Sequence, residues 1–476
     1  MLFLPDGFLY GLPAATDSES AMISDTVYAE LSSVLEGRIS RSKSDLEQHG
    51  MSETWFPLTL ADAVVFPETT AEVSAMMKIC HAHDIPVVGF GAGTSLEGQT
   101  LAIHGGVVVD FQRMNKVLHV NDADMDAVVQ PGVTREELNV ELRTTGLMFP
   151  VDPGANASLG GMAMTRASGT TAVKYGTMRE NVIGLEVVLA DGTIIHTGSR
   201  ARKSSSGYDL TSLFVGSEGT LGLVTEMNLR LHGQPEAISA AVCSFEEMPA
   251  AVEAVIATIQ VGLPMARIEF LDAESVRAVN QYSGSEFPLK PHLFVEFTGS
   301  EQAVAEQVEM FGEIVHDFGG SDFDWATKAE DRTALWTMRH HAYWAILALK
   351  KQHKAVVTDI CVPISNLAQA VEETAADIAQ SRLDGPILGH VGDGNFHAIL
   401  LVEDGNEDDI AEAKRLAHRM AERALTHGGT ITGEHGIGMG KKGLMPEEHG
   451  NAWAVMGTIK AALDPKNLMN PGKLVP

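Results

Sequence analysis

Residues 85–98, IPVVGFGAGTSLEG, decide the fold that the sequence predicts. The stretch begins as an apolar strand and runs into a loop with glycines at positions 89, 91, 93 and 98. Glycine amides can approach a pyrophosphate closely, and glycine tolerates the positive φ angles that such a cradle needs. The spacing is G-x-G-x-G rather than the G-x-G-x-x-G of NAD-binding folds, and no clear helix begins behind it. A conventional NAD fold is therefore disfavoured, while a nucleotide cradle and a plain tight loop are both open.

Two later segments repeat this combination of glycine and hydroxyl side chains. They are residues 153–169, PGANASLGGMAMTRASG, and residues 215–222, VGSEGTLG. Three such loops in one region of strands and helices fit a long, extended dinucleotide. The alternative is a set of glycine-rich turns within a compact sheet.

Strand and helix signals extend along most of the chain. From residue 61, apolar strands alternate with helices, and the helices after Thr69 and Thr134 have capping-box signatures. Asp191-Gly192 is a strong hairpin signal between two apolar runs. The pattern restarts near residue 236, where strands and helices predict an antiparallel sheet covered by helices. We therefore expect an α+β protein with a helical lead-in over residues 1–55, a first domain over 56–235, a second over 236–440 and a closing segment over 441–476.

Charge limits the partners that the protein can bind. The chain has 34 basic and 63 acidic residues and a net charge of −29, which repels nucleic acid and anionic lipid. An anionic substrate would need arginine, histidine or a metal ion to hold it locally.

Cysteine usage and hydropathy indicate the compartment. The three cysteines match no disulfide or zinc spacing and favour a reducing environment. No apolar run approaches the ~18–20 residues of a membrane span, and the start of the sequence lacks the basic residues of a secretion signal. We expect a soluble, cytoplasmic protein, and peripheral association with a membrane is left open.

A histidine pair flanks a predicted turn in residues 389–397, GHVGDGNFH. If Asp393-Gly394 is a two-residue turn, His390 and His397 lie directly opposite each other on one face of a hairpin. Their Cβ atoms would be about 4.5–5.5 Å apart, so both imidazoles could reach one metal ion. The alternative is a pair of stacked surface histidines.

A second polar pair lies in residues 432–438, TGEHGIG. Glu434 could complete a His-His-Glu metal site with open coordination positions, as catalytic sites need. His435 would be free for proton transfer, and the flanking glycines would allow a sharp backbone that brings both side chains into one cavity. Taken alone, this segment is better explained as a glycine-rich loop whose polar residues face solvent.

The three glycine-rich loops, in this order, resemble the FAD-binding domain of the vanillyl-alcohol oxidase/p-cresol methylhydroxylase (PCMH) superfamily. The phrases GTSLEG at 93–98, VDPG at 151–154 and VGSEGTLG at 215–222 are similar to its D-lactate, glycolate and D-2-hydroxyglutarate dehydrogenase branch. The similarity runs from about residue 41 to the closing NPGK at 470–473. It implies a two-part PCMH-type FAD-binding domain, to which the closing segment returns, and an α+β substrate domain with an antiparallel sheet.

The resemblance implies FAD as the cofactor, and we expect it to be non-covalent because no histidine is obviously placed for covalent attachment. Asn470 would lie near the isoalloxazine ring. The expected FAD-binding residues are Gly91, Gly93, Thr94, Ser95, Leu96, Pro153, Gly154, Ser158, Gly161, Ser168, Gly169, Tyr175, Gly176, Glu218, Gly219 and Asn470.

The resemblance also assigns the metal and the base. His390, His397 and Glu434 would bind one divalent cation, and His435 would be the catalytic base. Relatives differ in carrying zinc, manganese or iron, and nitrogen-plus-carboxylate ligation does not choose among them.

Arg339 matches the carboxylate-binding arginine of the family, and Tyr343, one helical turn later, would line the same pocket. A guanidinium is a natural fork for a carboxylate. Without the resemblance, a salt-bridged helix arginine would be the simpler explanation of Arg339.

The implied reaction is oxidation of a small D-2-hydroxy acid, by metal-assisted deprotonation of the hydroxyl group and hydride transfer to flavin N5. Relatives acting on D-2-hydroxyglutarate carry asparagine where this chain has Ile399 and lysine where it has Val357, so D-lactate is the expected substrate.

Within the branch, a glycolate oxidase flavoprotein subunit and a D-2-hydroxyglutarate dehydrogenase are the alternatives. An alkyl-dihydroxyacetone-phosphate synthase, a flavin-independent metallohydrolase and a non-catalytic flavin-binding protein are the alternatives outside it. Quinone, cytochrome c and electron-transfer flavoprotein are candidate electron acceptors, and a homodimer is left open.

Overall fold

A computed structural model describes residues 23–326 and 328–476. The earlier part of the predicted helical lead-in, up to residue 22, lies outside the described residues. From Ile23 onwards the lead-in contains two helices and a two-residue strand, so it is not helical throughout. Its apolar residues, such as Leu31, are buried in the same core as the first sheet.

The named strands up to residue 233 pair with one another in three sheets. These strands are β1 (Ile39–Ser40), β2 (Ala63–Val65), β3 (Val87–Phe90), β4 (Val107–Asp110), β5 (Val117–Asn121), β6 (Asp126–Val129), β7 (Leu147–Met148), β8 (Val182–Val188), β9 (Ile194–Gly198), β10 (Leu223–Arg230) and β11 (His232–Gly233). The helices of this part are α1 (Asp25–Val34), α2 (Lys43–Gly50), α3 (Thr70–Ala82), α4 (Arg135–Glu141), α5 (Leu159–Thr165), α6 (Ala172–Tyr175), α7 (Met178–Asn181) and α8 (Leu210–Phe214).

The first sheet is four-stranded, in the order β1-β2-β4-β3, and β2, β4 and β3 run parallel. All residues of β2 and β4 are buried. Short runs of valine such as these are typical of parallel strands that are covered on both faces. The predicted glycine loop begins where β3 ends, at the carboxyl edge of this sheet.

The second sheet is antiparallel and five-stranded, in the order β5-β6-β10-β8-β9. The Asp191-Gly192 hairpin is confirmed: Val188 pairs with Ile194, and Gly192 has a φ of +84°. β7 and β11 form a separate pair. Together, the four-stranded and five-stranded sheets make the two-part first domain that the sequence predicted.

Both helices with predicted capping boxes are present, and their caps differ. The Thr134–Glu137 capping box is present in full. Thr69 accepts a bond from the Glu72 amide, but the Glu72 carboxylate accepts its own bond from the Glu68 amide instead of the amide of Thr69. The second capping box is therefore only half formed.

The second half of the chain builds one large antiparallel sheet, in the order β15-β12-β14-β13-β18-β19-β16, with β17 also paired to β19. Its strands are β12 (Ala237–Ser244), β13 (Arg267–Leu271), β14 (His292–Gly299), β15 (Asp324–Ala326), β16 (His353–Val357), β17 (Ile360–Cys361), β18 (Ile387–Gly389) and β19 (Asn395–Glu403). The helices are α9 (Met248–Gln260), α10 (Ala273–Ser283), α11 (Glu301–Asp317), α12 (Ala329–His340), α13 (Ala342–Ala348), α14 (Leu367–Ala379), α15 (Glu407–Thr426), α16 (Met445–His449) and α17 (Asn451–Leu463). An α+β domain with an antiparallel sheet is confirmed.

The two faces of this sheet have different surroundings. Ile268 and Phe270 of β13 lie in the core that also holds residues of α9, α11, α14 and α15. Because side chains alternate along a strand, Arg267 and Glu269 face the other way. That second face carries α12 and α13 and looks towards the first half of the molecule.

The closing segment returns to the first sheet. The Val87 amide donates to the Leu468 carbonyl at 2.8 Å, and the Asn470 amide donates to the Val87 carbonyl at 2.8 Å. A parallel bridge joins Val87 to Met469. The boundaries of the four predicted parts stay predictions, but this return places both ends of the described chain against the first sheet.

Candidate active site

A cavity of about 330 Å³ lies between the two halves of the molecule. One wall is formed by the three glycine-rich loops, and the other by α12, α13 and the ends of β16, β18 and β19. The predicted site residues that line it are Gly91, Gly93, Thr94, Ser95, Leu96, Pro153, Gly154, Ser158, Gly161, Ser168, Glu218, Gly219, Arg339, Tyr343, His390, His397, Glu434 and His435.

Four predicted FAD-binding residues do not line this cavity. Gly169 packs on Asp152, where a Cβ would lie 2.4 Å from the carbonyl oxygen. Tyr175 contacts His232 edge to face at 4.9 Å, and Gly176 ends α6 with a φ of +73°. Asn470 is buried and donates from Nδ2 to the carbonyls of Gln99 and Glu218, so it holds two of the loops together from behind. Their contacts with FAD stay predictions.

The loop wall has the features of a cofactor cradle. At Gly154 and at Gly219, which has a φ of +69°, a Cβ would meet no atom within 4 Å, so these glycines border open space. At Gly91 a Cβ would lie 2.2 Å from Ser158 Oγ, so the first loop packs directly on the second. Ser95 Oγ is buried without a hydrogen-bond partner. Buried polar atoms are seldom left unpaired, so the wall fits a bound polar group such as FAD.

On the opposite wall, His390, His397 and Glu434 converge. The Nε2 atoms of the two histidines lie 3.2 and 3.3 Å from Glu434 Oε1. On the far side of each ring, His390 Nδ1 lies 2.8 Å from Glu269 Oε1 and His397 Nδ1 lies 3.0 Å from the Thr358 carbonyl oxygen. Metal-ligating histidines are held in this way, because a bond at one ring nitrogen leaves the other free to bind the metal. The donor set therefore fits a divalent cation.

The route by which the two histidines meet differs from the prediction. His397 pairs with Leu388, not with His390, and Val391–Asp393 form a turn of 3₁₀ helix in place of the expected two-residue hairpin turn. Gly394, with a φ of +78°, approaches the neighbouring strand so closely that a Cβ would lie 2.1 Å from the Val362 carbonyl oxygen. Only a glycine allows that close approach. The predicted hairpin geometry was wrong, but the predicted proximity of the two histidines was right.

The charges of the cluster are strongly coupled. Burial alone would raise the pKa of Glu434, but the imidazoles of His390 and His397 outweigh it and hold that pKa well below its usual value. Burial alone would lower the pKa of His390, but the carboxylates of Glu269 and Glu434 raise it well above its usual value. Buried anions gathered around imidazoles are what a cation site requires.

His435 is placed beside this cluster. Its ring is stacked on that of His397, with centroids 5.0 Å apart, and its Nε2 lies 4.0 Å from Glu434 Oε1. Its Nδ1 is buried without a hydrogen-bond partner. Burial, aided by His397 and Lys441 and opposed by Asp359, lowers the pKa of His435 to about 4. The imidazole is therefore neutral near pH 7 and can accept a proton.

The loop that carries Glu434 and His435 is held from several sides. Asp359 Oδ2 accepts bonds from the amides of both residues at 2.9 Å and from Thr432 Oγ1 at 2.7 Å. The Gln99 side chain donates to the His435 carbonyl at 2.7 Å, which joins this loop to the first glycine loop. Sequence reasoning missed the roles of Asp359 and Gln99.

The Glu218 carboxylate also reaches this loop, where it accepts bonds from the amides of Ile437 and Gly438 at 2.6 and 2.8 Å. Burial raises the pKa of Glu218, and those two amides lower it. Glu218 therefore connects the third glycine loop to the segment that carries the predicted base.

Arg339 and Tyr343 present unfilled donors to the cavity. Arg339 Nη2 lies 2.6 Å from Glu269 Oε2, but this ion pair lacks hydrogen-bond geometry, and Nε and Nη2 have no hydrogen-bond partner. Tyr343 Oη is also buried without a partner, and burial, with the Glu53 charge, raises the pKa of Tyr343 to about 12. Buried donors of this kind fit a bound anion, such as a carboxylate.

The rest of the wall is largely apolar. Val357 and Ile399 lie opposite each other on β16 and β19 and both line the cavity, as does Leu388. Sequence reasoning did not select His340, Trp344 or Glu53, which also line it. Aromatic residues such as Trp344 and acidic residues such as Glu53 are too common on protein surfaces for the sequence alone to mark them as site residues.

Comparison with known protein families agrees with this architecture. Residues 61–198 match the model of an FAD binding domain, and residues 234–474 match the model of the C-terminal domain of FAD linked oxidases. The match covers most of the cavity wall described above.

Individual relatives are similar over nearly their whole length. A protein of Danio rerio named as a probable mitochondrial D-lactate dehydrogenase is 49% identical over 98% of this chain and 95% of its own. A mitochondrial D-lactate dehydrogenase [cytochrome] of Arabidopsis thaliana is 42% identical over 97% of this chain and 82% of its own. The solved structure of p-cresol methylhydroxylase with bound substrate covers 95% of this chain and 97% of its own, with a TM-score of 0.79 at 16% identity, which shows a shared fold.

The chain therefore belongs to the FAD-linked oxidases and is a flavin-dependent oxidoreductase of PCMH-type fold. The resemblance drawn from its glycine loops is confirmed, and FAD is its cofactor.

The expected location was wrong. A cytoplasmic protein was predicted, but both relatives are named as mitochondrial. Three cysteines without a disulfide spacing do not distinguish the cytoplasm from a mitochondrial compartment, so the prediction had little to rest on. Among the described residues, no helix has the length and apolar character needed to cross a bilayer.

Proposed function

We propose that this chain oxidises D-lactate to pyruvate, with His435 as the base, Arg339 and Tyr343 as the carboxylate site, and His390, His397 and Glu434 as the site of one divalent cation. The observation that carries the proposal is the shared cavity: buried donors without partners, a His-His-Glu cluster and the flavin-side glycine loops all border it.

Arg339 and Tyr343 would bind the substrate carboxylate. The guanidinium is fixed on one side by Glu269, and its Nε still has a free hydrogen. Tyr343 Oη adds a neutral donor, since its raised pKa keeps the phenol protonated. The Arg339 guanidinium and this neutral donor would hold the anion locally against the repulsion of a molecule of net charge −29.

His390, His397 and Glu434 would hold the cation through two imidazole nitrogens and one carboxylate oxygen. Zinc, manganese and iron all accept such donors. A divalent cation, when bound, lowers the pKa of a hydroxyl group that it contacts and so assists proton removal.

His435 would take that proton. Its neutral imidazole carries a ring nitrogen without a partner, and Asp359 and Gln99 fix its backbone. FAD, when bound, accepts the hydride equivalent that leaves C2 of the substrate.

The apolar residues favour a short monocarboxylate. Val357 and Ile399 offer no donor to a second carboxylate, and Glu53 adds negative charge on the cavity wall. D-2-hydroxyglutarate would have to bury a second anion against these residues, which is costly. Glycolate lacks the methyl group that the aliphatic surface would cover, so glycolate oxidation is the weaker alternative. A flavin-independent metallohydrolase is disfavoured by the matched FAD binding domain.

Cytochrome c is the favoured electron acceptor, because one relative carries the word cytochrome in its name. Quinone and electron-transfer flavoprotein are the alternatives.

The test is anaerobic mixing of metal-replete holoenzyme with D-lactate, L-lactate, glycolate and D-2-hydroxyglutarate, followed by the absorption of oxidised flavin. We expect rapid bleaching by D-lactate and little by the other three. Faster bleaching by glycolate or D-2-hydroxyglutarate would overturn the substrate, and no bleaching by any of them would overturn the reaction.

Metal removal gives a second test. Dialysis against a chelator should abolish reduction by D-lactate and leave FAD bound, because the cation site and the glycine loops are on opposite walls. Addition of zinc, manganese or iron separately should restore reduction with at least one of them. Full activity of metal-free protein would overturn the cation site.

A further inference from the structure

Glu269 lies between the proposed cation site and the proposed carboxylate site. It is on β13, and only 1% of its surface is exposed. Its Oε1 lies 2.8 Å from His390 Nδ1, and its Oε2 lies 2.6 Å from Arg339 Nη2. One carboxylate therefore contacts a residue of each site.

A carboxylate at this position needs both partners. β13 is an interior strand of the large sheet, between β14 and β18. Glu269 lies on the face of this sheet that α12 and α13 cover, and its side chain is almost fully removed from solvent. An unpaired carboxylate away from water is strongly disfavoured, so a buried glutamate is retained only where opposite charge or hydrogen-bond donors meet it.

The contact with His390 determines which ring nitrogen is free. In the neutral tautomer that can bind a metal, Nδ1 donates its hydrogen to Glu269, and Nε2, which lies 3.2 Å from Glu434 Oε1, is the nitrogen left for the cation. His397 obtains the same tautomer from the Thr358 carbonyl. At His390 the hydrogen-bond partner is a carboxylate, which also increases the basicity of the ring.

The contact with Arg339 determines where the guanidinium lies. The ion pair at Nη2 holds a long, flexible side chain in one orientation. Its Nε hydrogen is left over for a ligand. A guanidinium group that is held in place before the ligand binds loses less conformational entropy on binding.

We propose that Glu269 is a positioning residue that fixes His390 and Arg339 with one carboxylate. It thereby sets the spacing between the sites that receive the hydroxyl and the carboxylate of one 2-hydroxy acid. The inference rests on the proposed function. It requires that loss of one buried carboxylate weakens metal binding and substrate binding together, although Glu269 touches neither ligand.

The test is Glu269→Gln, which preserves size but removes the negative charge that His390 and Arg339 share. We expect the affinity for Mn²⁺, measured by equilibrium dialysis, to fall about 10–100-fold, as is typical when an outer partner of a metal ligand is lost. The KM for D-lactate should rise about 10-fold or more, with a smaller effect on kcat, because the misplaced fork acts on binding. FAD content should stay at the wild-type level.

The matched control is Glu296→Gln. Glu296 lies on the adjacent strand β14, is also mostly buried, and pairs with Arg267 at 3.4 Å. The Glu296→Gln variant should keep the wild-type Mn²⁺ affinity and the wild-type KM for D-lactate. If it reproduces the losses of Glu269→Gln, the effect is general disruption of the sheet and the proposal is overturned.

The wild-type enzyme is measured first. If D-lactate does not reduce its flavin, or if its metal-free form does not bind Mn²⁺, the result counts against the proposed function. With a functional wild type, wild-type Mn²⁺ affinity and KM in Glu269→Gln overturn the positioning role. If that variant does not retain FAD, Glu269→Asp is used with the same criteria, since it keeps the charge but is too short to reach both partners.

Discussion

His435 has a buried ring nitrogen without a partner and a pKa lowered to about 4 by burial and nearby positive charge. We expect His435→Gln to slow flavin reduction by D-lactate about 10²–10⁴-fold, the range for loss of a general base. FAD content should not change, since His435 is not on the loop wall. Anaerobic stopped-flow measures the rate. His427→Gln, at the end of α15, is the control, and wild-type reduction of the His435 variant would contradict its role as base.

Arg339 is expected to act through its fork as well as its charge. Arg339→Lys keeps the charge but loses the planar pair of donors. We expect kcat/KM for D-lactate to fall by about 100-fold, or about 3 kcal/mol. Steady-state kinetics checks this against Arg277→Lys, a surface arginine paired with Glu274 on α10. An unchanged kcat/KM would show that the guanidinium is not the carboxylate site.

Sequence motifs identify only some of the residues of the site. His390, His397, Glu434 and His435 lie in two short glycine-containing phrases, so spacing and resemblance could select them. Glu269 meets His390 across 121 positions and Gln99 meets His435 across 336, and neither spacing is visible in one sequence. Two charged residues on one face of a central strand, Arg267 and Glu269, are a local signal that could have been used.

Among the elements, the alternation of strands and helices from residue 61 and the helices that begin after Thr69 and Thr134 follow from apolar periodicity and capping. The turn at Asp393-Gly394 was mispredicted because the dipeptide is a strong local hairpin signal. The close approach of Gly394 to the Val362 carbonyl comes from the neighbouring strand β17, which local sequence does not report. Tertiary contacts therefore decided the turn, and local residues decided the strands.

The pairing of β16 with β19 predicts how substrate choice can be changed. Val357 and Ile399 are directly opposite each other and line the cavity. The double variant Val357→Lys, Ile399→Asn would give a second carboxylate a cation and a donor. We expect kcat/KM for D-2-hydroxyglutarate to rise about 10-fold or more and that for D-lactate to fall. Kinetics with both acids checks this, and no gain for the dicarboxylate would show that these residues do not set the choice.

The closing segment is predicted to support FAD binding. Lys473 is 1% exposed and its Nζ donates to the Gln99 carbonyl at 2.9 Å, to Asn470 Oδ1 at 2.7 Å and to the Leu101 carbonyl. Lys473→Met removes all three bonds and leaves Asn470 Oδ1 unpaired, at about 1–3 kcal/mol, while the Gln99 and Leu101 carbonyls keep their bonds from Asn470 Nδ2 and the Ile103 amide. We expect weaker FAD binding and a lower Tm. Lys466→Met, a surface lysine of the same segment, is the control for the FAD titration, and equal affinities in the two variants would contradict the prediction.

For the whole molecule, a buried ion pair joins the two halves. Arg267 Nη2 on β13 lies 3.0 Å from Asp152 Oδ2, which also accepts from Thr170 Oγ1 at 2.7 Å. Breaking a buried pair by removing one partner costs about 3–5 kcal/mol. We expect Asp152→Asn to lower the free energy of unfolding by about that amount at pH 7, measured by urea titration of the holoenzyme. A loss close to zero would show that the pair does not hold the halves together.

The same pair predicts a pH dependence. Burial raises the pKa of Asp152, but Arg267 and Thr170 outweigh it, so the folded pKa lies below its usual value. The stabilisation is complete above the unfolded pKa of about 4 and is lost as the pH falls through the folded value. The difference between wild type and Asp152→Asn should be constant between about pH 5 and 8 and smaller at about pH 3. Equal differences at pH 3 and pH 7 would contradict this.

The bonds from Asn470 to Gln99 and Glu218 also order events in time. Gln99 and Asn470 are 371 positions apart, and Lys473 is 374 positions from Gln99. A ribosome adding about 5–20 residues per second needs about 20–75 seconds to pass from one to the other. Until then the first glycine loop lacks its rear support, and the nascent flavin cradle is incomplete. Cofactor capture is therefore a late event, and a ribosome stalled before residue 470 carries a chain that cannot finish its flavin site.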